Sequence, residues 1–211
     1  MNWKYILGEV VLLFISINLA IWFNNWNQSK KINKDKTTAI EKIVEEIQNN
    51  RSELEVVEDN NNLVLEAFKE FKNIYDGSTS HIIVSPSRHQ ELQRKYPDFF
   101  VVKDSVRMDD ALFRYQGTTR INLELPDLTD IAWKITTALN ISHEFNYDCL
   151  FELESMYTLQ NRVNAEINKS ANALQNRELE KLINILEFID QLSDQLMSSY
   201  SEMLEKVKNC G

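Results

Sequence analysis

From Tyr5 to Trp26 the chain reads YILGEVVLLFISINLAIWFNNW, an apolar stretch with no Lys or Arg in it. As a helix, about 22 such residues would reach roughly 33 Å, close to the roughly 30 Å hydrocarbon thickness of a bilayer. A cleaved leader would need a small-residue cleavage site, and Ala20 is followed instead by Ile21, Trp22 and Phe23. An interfacial helix would need a basic polar face, which the stretch lacks. The pattern therefore predicts a single transmembrane helix, with Trp3, Tyr5, Trp22 and Trp26 as interfacial anchors.

The polar and small residues of that stretch fall on one helical stripe: Glu9, Ser16, Ala20, Asn24 and Asn27. Such a stripe points to contact with a neighbouring helix. Glu9 then lies either at headgroup depth or in an oligomer or partner interface. With Ser16 and Asn18, it would alternatively line an ion or proton pathway through an oligomer.

Beyond the stretch, a period of seven takes over. Ile40, Ile47, Leu54, Asn61, Phe68 and Tyr75 recur at that spacing, and Ile43, Asn50, Val57, Val64 and Phe71 fall three later. This heptad seam predicts one long helix over about 31–75, ended by Gly77 and the serines and threonine after it. Asn50 and Asn61 are the polar members of the seam, the type of residue that sets register or oligomer number. The seam pairs either with its own copies or with later helices of the same chain.

Residues 77–126 are less regular. His81–Val84 and Phe99–Val102 read as short strands, a helical piece lies between Pro86 and Pro97, and Arg107–Tyr115 reads as another helix. Tyr96, Phe99, Phe100, Phe113 and Tyr115 are expected to form a local core. Helical periodicity then returns in three segments, starting near Pro126, His143 and Leu174. In the last of these, Leu179, Leu182, Leu186, Ile189, Ser193, Leu196, Tyr200, Met203 and Val207 follow steps of three and four.

Read as a whole, the chain is all-α: a transmembrane helix continuing into a long helix, an elongated helical bundle, and a small irregular or β-containing insertion. The divisions fall at 1–30 (anchor), 31–76 (heptad helix), 77–126 (insertion) and 127–211 (helices that pack on the long one). Composition agrees, since four glycines, three prolines and 43% hydrophobic residues favour long helices with a core.

The residues Gly8-Glu9, an apolar run, then Asn24-Asn25-Trp26-Asn27 and a Lys-rich exit resemble a family of uncharacterised membrane proteins common in Bacteroidetes. Asp130-Ile131-Ala132-Trp133 and Tyr157-Thr158-Leu159-Gln160 look like that family's later D-x-A-W and Y-x-x-Q positions. Gln28 stands where the family usually has an acidic residue. The resemblance implies a single-pass bacterial inner-membrane protein of unknown activity.

Charge refines this picture. The first 36 residues carry five basic and two acidic side chains, leaving 18 basic against 30 acidic in the rest. Lys30, Lys31, Lys34 and Lys36 after the stretch place the bulk of the chain in the cytoplasm by positive-inside counting, with a periplasmic body as the alternative. An acidic body argues against nucleic acid as a partner. Two cysteines, Cys149 and Cys210, show no disulfide framework, and Cys149 reads as a buried structural thiol.

Candidate chemistry is sparse. His143-Glu144 lacks the second histidine of a zinc-protease helix, His81 and His89 have no ligand-spaced partners, and Gly77 and Gly117 are too isolated for a phosphate loop. No catalytic residue, cofactor, metal or small-molecule substrate is expected. The sequence thus predicts a non-catalytic membrane-anchored scaffold or assembly subunit. Its expected partners are membrane lipid and either copies of itself or a protein of a membrane complex.

Overall fold

The computed structural model describes residues 3–210, without the side chains of Lys4 to Leu7, Val10, Asp59 and Asn209. The expected anchor at Tyr5 lies among those side chains. Helix α1 spans Trp3–Lys72, followed by β1 (His81–Val84), α2 (Pro86–Lys95), β2 (Phe100–Arg107) and β3 (Phe113–Thr119). After a long connection come α3 (Ile131–Ala138), a 3-10 turn at Ile141–Glu144, α4 (Tyr147–Gln175), α5 (Leu179–Lys206) and a last 3-10 turn, Val207–Asn209. The chain is mostly helical, with a small three-stranded sheet inside the segment expected to be irregular or β-containing.

Two compact units divide these elements. One comprises Met1–Ile47, Asp130–Glu154 and Met203–Gly211; the other comprises Gln48–Thr129 and Ser155–Glu202. Accordingly α1, α4 and α5 each contribute to both.

The heptad seam of α1 is buried within the chain: Ile43, Ile47, Asn50, Leu54, Val57, Phe68 and Phe71 are all below a tenth exposed. In the second unit its partners include α5, since Lys69 meets Glu187 at 2.8 Å and Lys72 meets Glu180 at 3.8 Å. Numbers rising on α1 while they fall on α5 make the two helices antiparallel. On α4, Cys149, Leu153, Met156, Gln160, Val163, Ile167 and Ser170 are buried in steps of four and three. Both patterns are seams that let helices bury one face along their length. Helix α4 ends with Arg177 in the left-handed region (φ 59°), while the Glu178 N–H returns to the Ala173 carbonyl at 2.9 Å. Glycine is the usual residue at that position because it carries no Cβ penalty.

The sheet has the order β1-β3-β2 and both pairings are antiparallel. Segment 107–115, expected to be helical, is instead the hairpin joining β2 to β3. Its tip is an Asx turn: the Asp109 carboxylate accepts from the N–H groups of Ala111 and Leu112 at 2.8 and 2.7 Å. This local turn outcompetes the short helical pattern, and its carboxylate is held below its ordinary value by those two backbone bonds. Tyr96, Phe99, Phe100 and Tyr115 join Phe68, Phe71, Leu182 and Leu186 in one cluster, the local core expected of the aromatic residues.

Two corrections follow. Among the described residues no helix is long and apolar enough to cross a membrane. The described apolar run from Val11 to Phe23 reaches only about 20 Å as a helix, holds Ser16 and Asn18, and gives way to Asn24, Asn25, Asn27 and Gln28. That finding overturns the expected single-pass inner-membrane location, and with it the lysine-based assignment of sides. Secondly, Cys149 and Cys210 are joined in a disulfide, with Cα atoms 5.5 Å apart. Two cysteines 61 positions apart carry no signal of pairing in sequence; only folding brings them together.

Candidate functional site

The feature that stands apart from the rest of the chain is the described part of α1 from Val11 to Trp26. Val11, Leu12, Leu13, Phe14, Ile15, Ile17, Leu19, Ile21, Trp22, Phe23 and Trp26 are each between 46% and 70% exposed. At 100° per residue they occupy nearly the whole circumference of the helix, so the segment has no single wet face. Trp22 and Trp26 stack at 6.3 Å, and the Lys30 ammonium lies over the Trp26 ring at 3.8 Å. The lysine stem and its charge thus close one end of the apolar surface.

Along this segment Ser16, Leu19, Ala20, Phe23, Asn24 and Asn27 line a shallow groove. Ser16 Oγ donates to the Leu12 carbonyl at 2.8 Å, and Asn18 Nδ2 to the Phe14 carbonyl at 2.7 Å. Both side chains therefore spend a donor on their own helix, which lowers the cost of placing them among apolar neighbours. Glu9 is exposed at the other end of the segment. The stripe expected at Ser16, Ala20 and Asn24 is one continuous face, while Asn18 lies on the opposite side.

The polar seam residues sit inside the second unit. Asn50 Nδ2 donates to the Thr129 carbonyl at 2.7 Å and to Gln160 Oε1 at 3.1 Å, and Asn50 Oδ1 accepts from the Thr129 N–H at 2.9 Å. Gln160 Nε2 donates to the same Thr129 carbonyl at 2.9 Å, while the Tyr200 hydroxyl donates to Gln160 Oε1 at 2.8 Å. Asn50, Gln160 and Tyr200 are almost fully buried. A buried polar network of this kind is tolerated because its members satisfy one another. Asn61 makes a shallower version: its Nδ2 donates to the Glu124 carbonyl and its Oδ1 accepts from the Glu124 N–H, at 2.9 and 3.0 Å. Both asparagines thus hold the connection after β3 against α1. Spacing places Gln160 in a short motif and Tyr200 on the α5 stripe but gives neither a partner; a glutamine in the α4 core sequence of fours and threes is the one signal of a buried network.

In the first unit, Glu46 is buried on α1 and faces the start of α3. Its carboxylate accepts from the Ala132 N–H at 2.8 Å and the Trp133 N–H at 3.4 Å. Asp130, at the N-cap position, makes no side-chain cap and instead pairs with Lys134 at 2.8 Å. A carboxylate from another helix thereby satisfies the free N–H groups and the positive end of α3.

Glu70, Tyr75 and His89 are tied into structural contacts. Glu70 accepts from Lys95 at 2.6 Å, Tyr96 at 2.9 Å and Arg88 at 2.7 Å, and the Lys95 and Tyr96 bonds hold its carboxyl below the ordinary range. Burial pushes the Tyr75 phenol up to about 12, its hydroxyl lying 2.8 Å from Thr119 Oγ1. His89 stacks on Tyr115 with ring centres 4.1 Å apart, and burial lowers its imidazole below the usual value.

The described part of the second unit includes two hollows of note. The one lined by Leu54, Leu65, Ile167 and Leu186 measures about 30 Å³, room for a water or two rather than a ligand. The other, about 500 Å³ between Leu63, Ala67, Tyr96 and Phe99, has only the exposed Asp98, Arg120 and Asn122 as polar rim, where water competes for every contact. Among the described residues, no group of three or more His, Cys, Asp or Glu is placed to hold a metal ion. Comparison with protein-family models, with curated proteins and with solved structures finds no match for the chain.

Proposed function

We propose that this protein is a non-catalytic assembly subunit, a helical body that presents the apolar segment Val11–Trp26 of α1 to the same segment of a second copy. One observation carries the reading: large apolar side chains exposed around the whole helix, in a chain that elsewhere buries its seams. Fully covering one such side chain is worth about 1.5–3 kcal/mol, so the segment gains far more from a partner than from water. The groove at Ser16, Ala20 and Asn24 supports a helix as that partner. Small residues let two backbones approach, and the amides of Asn24 and Asn27 are suited to hydrogen bonds across the contact. The alternative of an ion or proton pathway through an oligomer lacks a membrane-crossing helix among the described residues.

Light scattering of the purified chain in mild detergent tests this. The expected mass is a multiple of the 24.8 kDa chain, falling to one chain when Ala20→Trp fills the groove. A strictly monomeric wild-type protein at micromolar concentration, or a complex in which the segment is covered by a different protein, would overturn self-assembly.

A further inference from the structure

The disulfide of the first unit carries an inference that the apolar segment does not. Cys149 lies in the first turn of α4, and Cys210 follows the last 3-10 turn; both are buried. They are the two cysteines of the sequence, so pairing them leaves no odd thiol. Their meeting does not depend on sulfur alone. Asn146 touches both: its N–H donates to the Cys210 carbonyl at 3.3 Å, and its Oδ1 accepts from the Cys149 N–H at 2.8 Å. One step further along, Lys206 reaches Glu152 at 2.8 Å, and Val207 is fully buried. The main chain therefore holds the two cysteines at a Cα separation of 5.5 Å, within the range a disulfide spans.

We propose that the folded part of this protein works in an oxidising compartment, where Cys149 and Cys210 are oxidised to a structural disulfide that holds the C-terminal end of the chain to the start of α4. The electrons pass to a disulfide-bearing oxidant by exchange. One thiolate attacks a sulfur of the oxidant and releases its other sulfur as a thiolate. The second cysteine then attacks this mixed disulfide at the protein's own sulfur. The two thiol protons and two electrons end on the oxidant, whose disulfide becomes a dithiol, and the chain gains one S–S bond. A reducing interior would reverse the exchange and leave two adjacent buried thiols. The loop so closed takes in α4 from Cys149 onward, the turn at Arg177 and all of α5, so the bond limits how far these helices can separate on unfolding.

The compartment is read by differential thiol labelling in cells that make the protein from its own gene. Cells are quenched in acid, denatured without reductant, alkylated, reduced and alkylated with a second reagent. Both cysteines should take only the second label. Both taking the first label in protein that resists proteolysis, hence folded, would overturn the assignment. The clasp is read by hydrogen exchange on the purified full chain with and without reductant. Exchange over 145–150 and 203–210 should rise about tenfold on reduction, clearly more than over 160–170. The C149S/C210S double variant should match the reduced wild type. Where that variant does not fold, the reduced wild-type protein carries the comparison. Identical exchange in the two redox states would overturn the clasp.

Discussion

Asn50 and Gln160 stand 110 positions apart in sequence, yet the amide of one donates to the side-chain oxygen of the other at 3.1 Å inside the second unit. Between them they hold the backbone of Thr129 by its N–H and its carbonyl, and Tyr200 completes the set from α5. The seam thus spends its polar positions on a connection within the same chain.

Gln160→Leu keeps most of the volume but strips Asn50 and Tyr200 of an acceptor and the Thr129 carbonyl of a donor. Asn50 and Thr129 still hold each other, so the network is weakened rather than emptied, and a loss of about 1–3 kcal/mol is expected, read as a lower urea midpoint. Asn61→Leu, at the shallower Asn61–Glu124 contact, should cost clearly less.

Glu46→Ala removes the acceptor for the Ala132 and Trp133 N–H groups at the start of α3. A lost cap costs about 0.5–2 kcal/mol, and burial places Glu46 at the upper end. Glu46→Gln keeps an oxygen for one N–H and should lose less. Amide exchange at 132–133 distinguishes a frayed helix start from general unfolding.

Backbone positions give opposite signs. A Cβ on Gly117 would sit 2.6 Å from the Val101 carbonyl oxygen and 2.7 Å from the Phe100 ring, so Gly117→Ala should destabilise by about 1–3 kcal/mol. Arg177→Gly removes a side chain from a left-handed position and should stabilise by up to about 1 kcal/mol, seen as a higher thermal midpoint.

His89 sets a pH dependence. Its folded value is lowered by burial, so on acidification the unfolded chain takes up the proton first and stability rises with pH through that range. The contribution is fully present above the ordinary imidazole value of about 6.5 and is lost as pH falls from there through the folded value. His89→Phe keeps a ring against Tyr115 and should flatten the urea midpoint between about pH 7.5 and pH 5. An unchanged slope would show that His89 is not the group responsible.

Two short sequence runs, Asp130–Trp133 and Tyr157–Gln160, have physical roles in the fold. Ala132 and Trp133 meet the Glu46 carboxylate in one unit, and Gln160 is the hub of the amide network in the other. Neither role was readable from spacing, because each depends on a residue of α1 that is far away in sequence.

Periodicity by itself determined the long helix, the seams of α1 and α5, the break at Gly77, and the aromatic core of the insertion, because each is a local pattern that a repeating backbone converts into a face; it put the break between α4 and α5 near Leu174, a few residues before the turn at Arg177. It also exposed the apolar stretch near the start but misjudged what it implies: the described run is too short and too interrupted to cross a membrane. Tertiary structure decided the rest. Packing chose the same chain as the partner of the heptad seam, an Asx turn made a hairpin of 107–115, and folding brought Cys149 to Cys210. These are meetings between distant residues, whose partners no local repeat can specify.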